Sequence, residues 1–142
     1  MSIGFKFIKE KRLGISVWHG KVTLAEWLDN LRRIISDPDF PSTRMQVVDL
    51  RSATGDPSID ESGIKQAAEF IGSDPVKTTG RKVAVVAGKE FNRSKLFENL
   101  VKSHFQNVIV FNDLPTACTW LGIDTIETQQ EIEQIRIKLH DK

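Results

Sequence analysis

The sequence of 142 residues is poor in cysteine and has no long apolar run. Its single cysteine, Cys118, excludes an intramolecular disulfide and a zinc site built from cysteines. No apolar stretch approaches the roughly 20 residues that a membrane-spanning helix needs, so we expect no integral membrane segment. The first residues, Met1 to Lys6, also lack the apolar core of a signal peptide. A cytoplasmic location is therefore expected.

Neither positive nor negative residues are in large excess. The formal net charge of +1 creates no broad field for nucleic acid or an anionic membrane, so we expect no nucleic acid partner. There is no glycine-rich phosphate motif, and His19, His104 and His140 do not have the spacing of metal ligands. No nucleophile–base pair or cofactor fingerprint can be recognised either. The sequence thus predicts a protein without catalytic residues, metal or cofactor.

What the sequence does contain is a short apolar run, Arg81–Gly88, rich in small and β-branched residues. Such a run without polar alternation is typical of a strand that is covered on both faces. Similar runs occur at Met45–Leu50 and Asn107–Phe111, and helical patterns separate all three, which indicates βαβ units. Near the amino terminus, Phe5–Lys9 and Leu13–Trp18 predict a hairpin. The predicted fold is α/β, with a single mixed, mainly parallel sheet and helices packed on it.

Helix signals lie between and after these strands. Thr23 with Glu26 forms a capping box, and Ser58 with Glu61 forms a second one that follows a polar loop, Arg51–Pro57. The break at His19-Gly20 is expected to end the second strand. The remaining helices are predicted to start near Asn92, to run from Leu114 to Leu121 before Gly122, and to run from Ile126 to His140 after a cap at Asp124.

Several short segments occur in a characteristic order: Val22–Trp27, Asp37–Phe40, Val47–Arg51, Val83–Ala87, Phe111–Leu114, Ala117 and Trp120–Gly122. In this order they resemble the STAS domains of anti-sigma-factor antagonists, and more closely the bacterial SpoIIAA-like family. The resemblance covers about residues 4–123. It implies a fold that is shared with CRAL-TRIO lipid-binding domains. It implies no enzymatic activity, because none is established for the family.

The segment Asp60–Ile64 is similar to the Asp-Ser-Ser-Gly-Leu motif in which STAS antagonists are phosphorylated. Carried over residue by residue, the phosphorylated serine falls on Glu61, while Ser62 and Gly63 match. Since a glutamate cannot be phosphorylated, the resemblance disfavours the usual phospho-serine switch. The capping box with Ser58 by itself explains Glu61.

A ligand site is expected beyond the carboxyl ends of the parallel strands. Basic residues also surround the start of the third helix, where backbone N–H groups favour an anion or a polar headgroup. The candidate ligand-binding residues are His19, Asp49, Arg51, Lys89, Arg93, Lys95 and Asn112. The alternative is that these are solvated loop residues, with Asp113 as a helix cap. His104 and Cys118, on apolar helix faces, are expected to belong to the core or its margin.

Two function classes remain open for a single domain over residues 1–142. The first is a non-catalytic binding module for a small apolar or amphipathic, lipid-like ligand held between sheet and helices, as the resemblance implies. The second is a protein-interaction regulator that resembles the STAS antagonists, with a protein partner or a homodimer. A helical extension at about residues 125–141 either closes the domain or serves as a lid or an arm.

Overall fold

A computed structural model describes residues 2–74, 80–102 and 107–140 of the chain. In this part five strands form one sheet in the order β1-β2-β3-β4-β5. Strands β1 and β2 are antiparallel, and the other neighbours are parallel. The predicted α/β class with a mixed, mainly parallel sheet is confirmed. The strand bounds are Ile3–Ile8 (β1), Leu13–Val22 (β2), Met45–Gly55 (β3), Lys82–Val86 (β4) and Asn107–Phe111 (β5).

Helices connect the parallel strands and follow the last one. Thr23 Oγ1 accepts a hydrogen bond from Glu26 N, and the Glu26 carboxylate accepts one from Thr23 N, so the first predicted capping box is confirmed. The predicted cap at Asp124 is confirmed too, since its carboxylate accepts from Glu127 N at 2.8 Å. The helices run over Leu24–Ser36 (α1), Glu61–Gly72 (α2), Phe91–Val101 (α3), Leu114–Leu121 (α4) and Thr125–His140 (α5).

Strands alternate their side chains between two covered faces. On β4, Val83 and Val85 belong to a cluster with residues of α1, α2 and α3, whereas Ala84 and Val86 belong to a second cluster with residues of α4 and α5. We call these the α1–α3 face and the α4–α5 face. The double covering explains why β4 is apolar on both sides.

Two strands are longer than the sequence predicts. The polar residues after Leu50 belong to β3, which runs to Gly55, and β2 continues past His19 to Val22. The two extensions pair with each other, after a register shift between Val17 and His19. The prediction of a loop beginning at Arg51 is wrong because the ladder of backbone hydrogen bonds outweighs the low strand preference of these residues.

The second predicted capping box is also wrong. Helix α2 starts two residues later, and its cap is Asp60, whose carboxylate accepts from Gly63 N at 2.8 Å. Ser58 instead accepts from Leu24 N at 3.0 Å and so links the loop to the start of α1. Helix α3 ends at Val101, and the expectation for His104 lies outside the described residues.

The carboxyl-terminal helix α5 packs on β1 and β2. Ile132 and Ile135 are buried in this contact, while Ile126 and Ile137 are exposed. The approach is close, because a Cβ atom at Gly4 of β1 would lie 2.5 Å from Ile135 Cγ2. In the described structure α5 therefore completes the cover of the α4–α5 face.

We predict that Ile132→Ala lowers the free energy of unfolding by about 2–5 kcal/mol, since truncation of a buried isoleucine leaves a cavity. Ile137→Ala is the matched control, because the same change on the same helix removes a side chain that is 57% exposed. It should change stability by less than about 0.5 kcal/mol. Urea unfolding followed by circular dichroism measures both. Equally small losses would show that α5 is not part of the folded core.

Candidate functional site

A pocket of about 110 Å³ lies between the sheet and helices α1, α2 and α3. Its wall is mostly apolar and includes Trp18, Trp27, Leu31, Val48 and Phe97. Val48 is only half-buried although it lies on the central strand, because this gap faces it. No residue of α5 lines the pocket. The terminal helix is therefore not a lid over it, since α5 covers the opposite face of the sheet.

Three aromatic rings keep the walls of this pocket apart. Trp27 of α1 stands edge-to-face against Trp18 of β2 and Phe97 of α3, with ring centres 5.6 and 5.3 Å away. Edge-to-face pairs are favourable beyond the apolar area that they bury. The rings thus brace α1 against both the sheet and α3, and the helices cannot close the gap without breaking these contacts.

Polar groups lie toward both ends of the pocket. Near the amino-terminal end of β3, Gln46 Nε2 donates to Ser16 Oγ at 3.2 Å. Near the carboxyl end, Gly55, Glu90, Arg93 and Ser94 line the wall. From Gln46 to Gly55 an extended strand spans roughly 30 Å. The lining therefore follows β3 as a narrow slot that is apolar along its middle.

An ion pair closes the carboxyl end of the slot. Arg93 donates to Glu90 Oε1 at 3.1 Å, and Gly55 N donates to Glu90 Oε2 at 3.1 Å. The guanidinium of Arg93 lies so close to Gly55 that a Cβ atom there would collide with it. A larger residue at this position of β3 would displace the flexible end of the Arg93 side chain. Charge at this end is balanced, because one cation meets one anion.

The basic residues predicted around the start of α3 have different surroundings. Arg93 pairs with Glu90, and Lys95 lies 2.5 Å from Glu98 Oε2, so both charges are already compensated. Lys89 is exposed. An anion site formed by all three residues remains a prediction, and these pairings weaken it.

On the α4–α5 face, Asp49 of β3 is fully buried. Arg51 Nε donates to its Oδ1 at 2.8 Å, and Arg136 Nη2 of α5 donates to its Oδ2 at 2.9 Å. The hydrogen bond to Asp49 raises the pKa of Arg51. Two predicted site residues are thus brought together, but the third member, Arg136, was not predicted from the sequence.

The network continues along α5. Arg51 donates to Gln129 Oε1 at 3.0 Å, and Arg136 donates to Ser52 Oγ at 3.2 Å and to Glu133. These residues surround an open depression of about 360 Å³. It is larger than the apolar pocket, but its polar groups already bond one another. We therefore favour the apolar pocket as the ligand site.

The other candidate residues lie apart from the pocket. The rings of His19 and His140 have centres 4.6 Å apart, and His19 Nδ1 is buried without a hydrogen bond in the described residues. Asn112 is exposed, next to Asp113, which caps α4 as expected by accepting from Thr116 N at 2.8 Å. Cys118 is buried, and burial raises the pKa of its thiol.

Glu61 and Ser62, the predicted equivalents of the phosphorylated segment of the STAS antagonists, lie in the first turn of α2. Both are exposed. Asp60 provides the cap, so the side chain of Glu61 is not needed for that purpose. A permanent negative charge at a helix amino terminus is favourable in any case.

No helix in the described ranges is both long enough and apolar enough to cross a membrane. The same residues contain no cluster of three or more His, Cys, Asp or Glu side chains suited to a metal ion. Comparison with known proteins gives no family model that matches the chain and no significant match among curated proteins.

We predict that Arg136→Met lowers the free energy of unfolding by about 1.5–3 kcal/mol, because a buried carboxylate loses a charged hydrogen-bond partner. Arg33→Met is the control: Arg33 pairs with Asp29 on the surface of α1, where both side chains are more than half exposed. Arg33→Met should lower the free energy of unfolding by less than about 0.5 kcal/mol. Chemical denaturation measures both variants. Equal losses of unfolding free energy in the two variants would show that the contact between Arg136 and Asp49 does not stabilise the fold.

Proposed function

We propose that the protein is a non-catalytic binding module for a small apolar or amphipathic ligand, held between the sheet and helices α1–α3. The observation that carries this proposal is the apolar pocket of about 110 Å³. The predicted resemblance to the SpoIIAA-like family and CRAL-TRIO domains agrees with it, because that resemblance implies a ligand between sheet and helices.

The volume limits the size of the ligand. Pockets for drug-sized molecules measure about 300–1,000 Å³. A cavity of about 150 Å³ lined by Leu, Ile and Phe accommodates benzene in another protein. At about 110 Å³, this pocket suits a molecule of benzene size or a short aliphatic chain. The ligand is therefore a small apolar molecule or the tip of a larger one, and not a complete lipid.

An empty apolar pocket lowers the stability of the fold, so a ligand that fills it binds favourably. Unfilled apolar volume in a core destabilises by about 24 cal/mol per Å³, so about 110 Å³ corresponds to about 2–3 kcal/mol. Apolar walls retain water poorly. A ligand that restores the missing contacts with Trp27 and Val48 offsets this cost.

The polar groups of the pocket serve binding better than catalysis. The carboxylate of Glu90 is held by Arg93 and Gly55 N. Among the residues that the structure describes, the lining of the pocket includes no histidine, cysteine or lysine. The carboxylate nearest to Ser94 in the chain, that of Glu90, is already held by Gly55 N and Arg93, which disfavours a role as the base that activates a nucleophile. We therefore propose a module that holds its ligand without converting it.

We predict that hexan-1-ol binds saturably and changes the fluorescence of Trp18 and Trp27, which line the pocket. An aliphatic probe is chosen because it does not absorb where tryptophan does. Val48→Phe should fill the pocket, weaken binding at least about tenfold and keep or raise the melting temperature, since the phenyl ring replaces empty volume. Ile126→Phe, at an exposed site, is the control for added apolar surface.

Two results would count against the binding module. One is the absence of saturable binding to the unchanged protein. The other is equal affinity in Val48→Phe and Ile126→Phe, which would place the alcohol elsewhere on the molecule.

A second candidate is a protein-interaction regulator, and two exposed isoleucines on α5 favour it. Ile126 and Ile137 are 70% and 57% exposed, and their spacing puts them roughly 20° apart around the helix. Such residues form one narrow stripe that a second copy of the chain could cover.

We predict for this candidate that a dimer forms in sedimentation velocity and that Ile126→Glu with Ile137→Glu abolishes it, because buried unpaired carboxylates are costly. Glu substitution of Gln130 and Gln134, which are also exposed on α5, is the control. A monomer at all concentrations would show that the proposed homodimer does not form.

A further inference from the structure

Ser94, in α3, is a largely buried residue that lines the pocket. The residue is 6% exposed and lines the carboxyl end of the slot. Its backbone N–H donates to Glu90 O at 2.9 Å, as expected in a helix, but its hydroxyl makes no hydrogen bond within the part of the chain that the structure describes. Its oxygen is not among the fully buried atoms without a partner, so it is accessible from the pocket. The hydroxyl is therefore available to a ligand.

Two serines at the carboxyl ends of helices behave differently. The hydroxyl of Ser36 donates to Arg32 O at 2.6 Å, and that of Ser73 donates to Phe70 O at 2.6 Å. This back-bonding is the usual way for a helical serine to satisfy its hydroxyl. Ser94 does not use it, although it has the same option.

The charges beside Ser94 define the kind of polar group that fits. Glu90 and Arg93 pair with each other, and Glu90 also accepts from Gly55 N. A ligand carboxylate would face the negative charge of Glu90, and an ammonium group would face Arg93. Neither ion would find an uncompensated opposite charge to offset its loss of hydration. A neutral hydroxyl or carbonyl needs only a hydrogen-bond partner, which Ser94 provides.

We propose that Ser94 binds the polar end of the ligand, and that the ligand is an uncharged alcohol or carbonyl compound with a small apolar body. This assignment rests on the proposed function, because it places the ligand in the same pocket. The apolar body lies against Trp27 and Val48, and the oxygen atom accepts from the Ser94 hydroxyl.

Asn30 is the competing polar group. It lines the pocket, and its amide makes no hydrogen bond among the described residues. Asn30 is, however, only half-buried, so water can satisfy it. The more deeply buried Ser94 gains more from a ligand.

The test compares hexan-1-ol, hexanoate and 1-chlorohexane at neutral pH by tryptophan fluorescence. The unchanged protein should bind hexan-1-ol at least about tenfold more tightly than hexanoate. Ser94→Ala should weaken the binding of hexan-1-ol about fivefold, which is the effect of losing one neutral hydrogen bond. The same variant should bind 1-chlorohexane as the unchanged protein does. Ser94→Thr keeps the hydroxyl and should retain the preference for the alcohol.

Ser36→Ala is the control and should not alter affinity, whereas Asn30→Ala tests the competing polar group. Equal binding of hexan-1-ol to Ser94→Ala and to the unchanged protein would overturn the role of Ser94 but leave the binding module intact. Equal affinity for hexanoate and hexan-1-ol, or a loss in Asn30→Ala instead, would also overturn it. If hexan-1-ol does not bind to the unchanged protein at all, both the proposed function and this assignment fail. Thermal unfolding of each variant confirms that it is folded.

Discussion

The buried carboxylate of Asp49 is the constraint on which one side of the structure depends. It lies on the central strand with no exposure, so it must be matched by cations. Arg51 comes from the same strand, but Arg136 comes from α5, 87 residues further along the chain. A shift of α5 along the sheet would separate Arg136 from Asp49. The ion pair therefore fixes the position of a helix whose own apolar contacts, Ile132 and Ile135, are few.

The two faces of the sheet are packed in different ways. The α4–α5 face combines small, fully buried residues such as Ala117 and Cys118 with the Asp49 network. On the α1–α3 face, large rings stand edge-to-face and leave Val48 half-buried. The apolar pocket lies on the α1–α3 face, whereas the depression beside α5 is lined by polar groups that bond one another.

Sequence patterns predict the fold well where a segment's structure depends on its own residues. Strand β5 and helix α4 have their predicted bounds, because apolar runs and caps such as Asp113 act locally. The end of β3 was missed, since its polar residues become a strand only by pairing with β2. In the site, a carboxylate at Asp49 within an apolar strand signals a need for cations. Nothing local identifies Arg136, because that contact depends on how α5 docks.

The pocket is still less predictable, because it is a gap and not a motif. Trp18, Trp27 and Phe97 each occupy an ordinary core position, and only their mutual angles leave space beside Val48. The same argument explains why a buried polar group is informative there. In a filled core Ser94 would bond to the backbone of its own helix. A hydroxyl that remains free beside unfilled apolar volume has both components of an amphipathic site, so the hydrogen-bond partner and the apolar contacts are best supplied by one molecule.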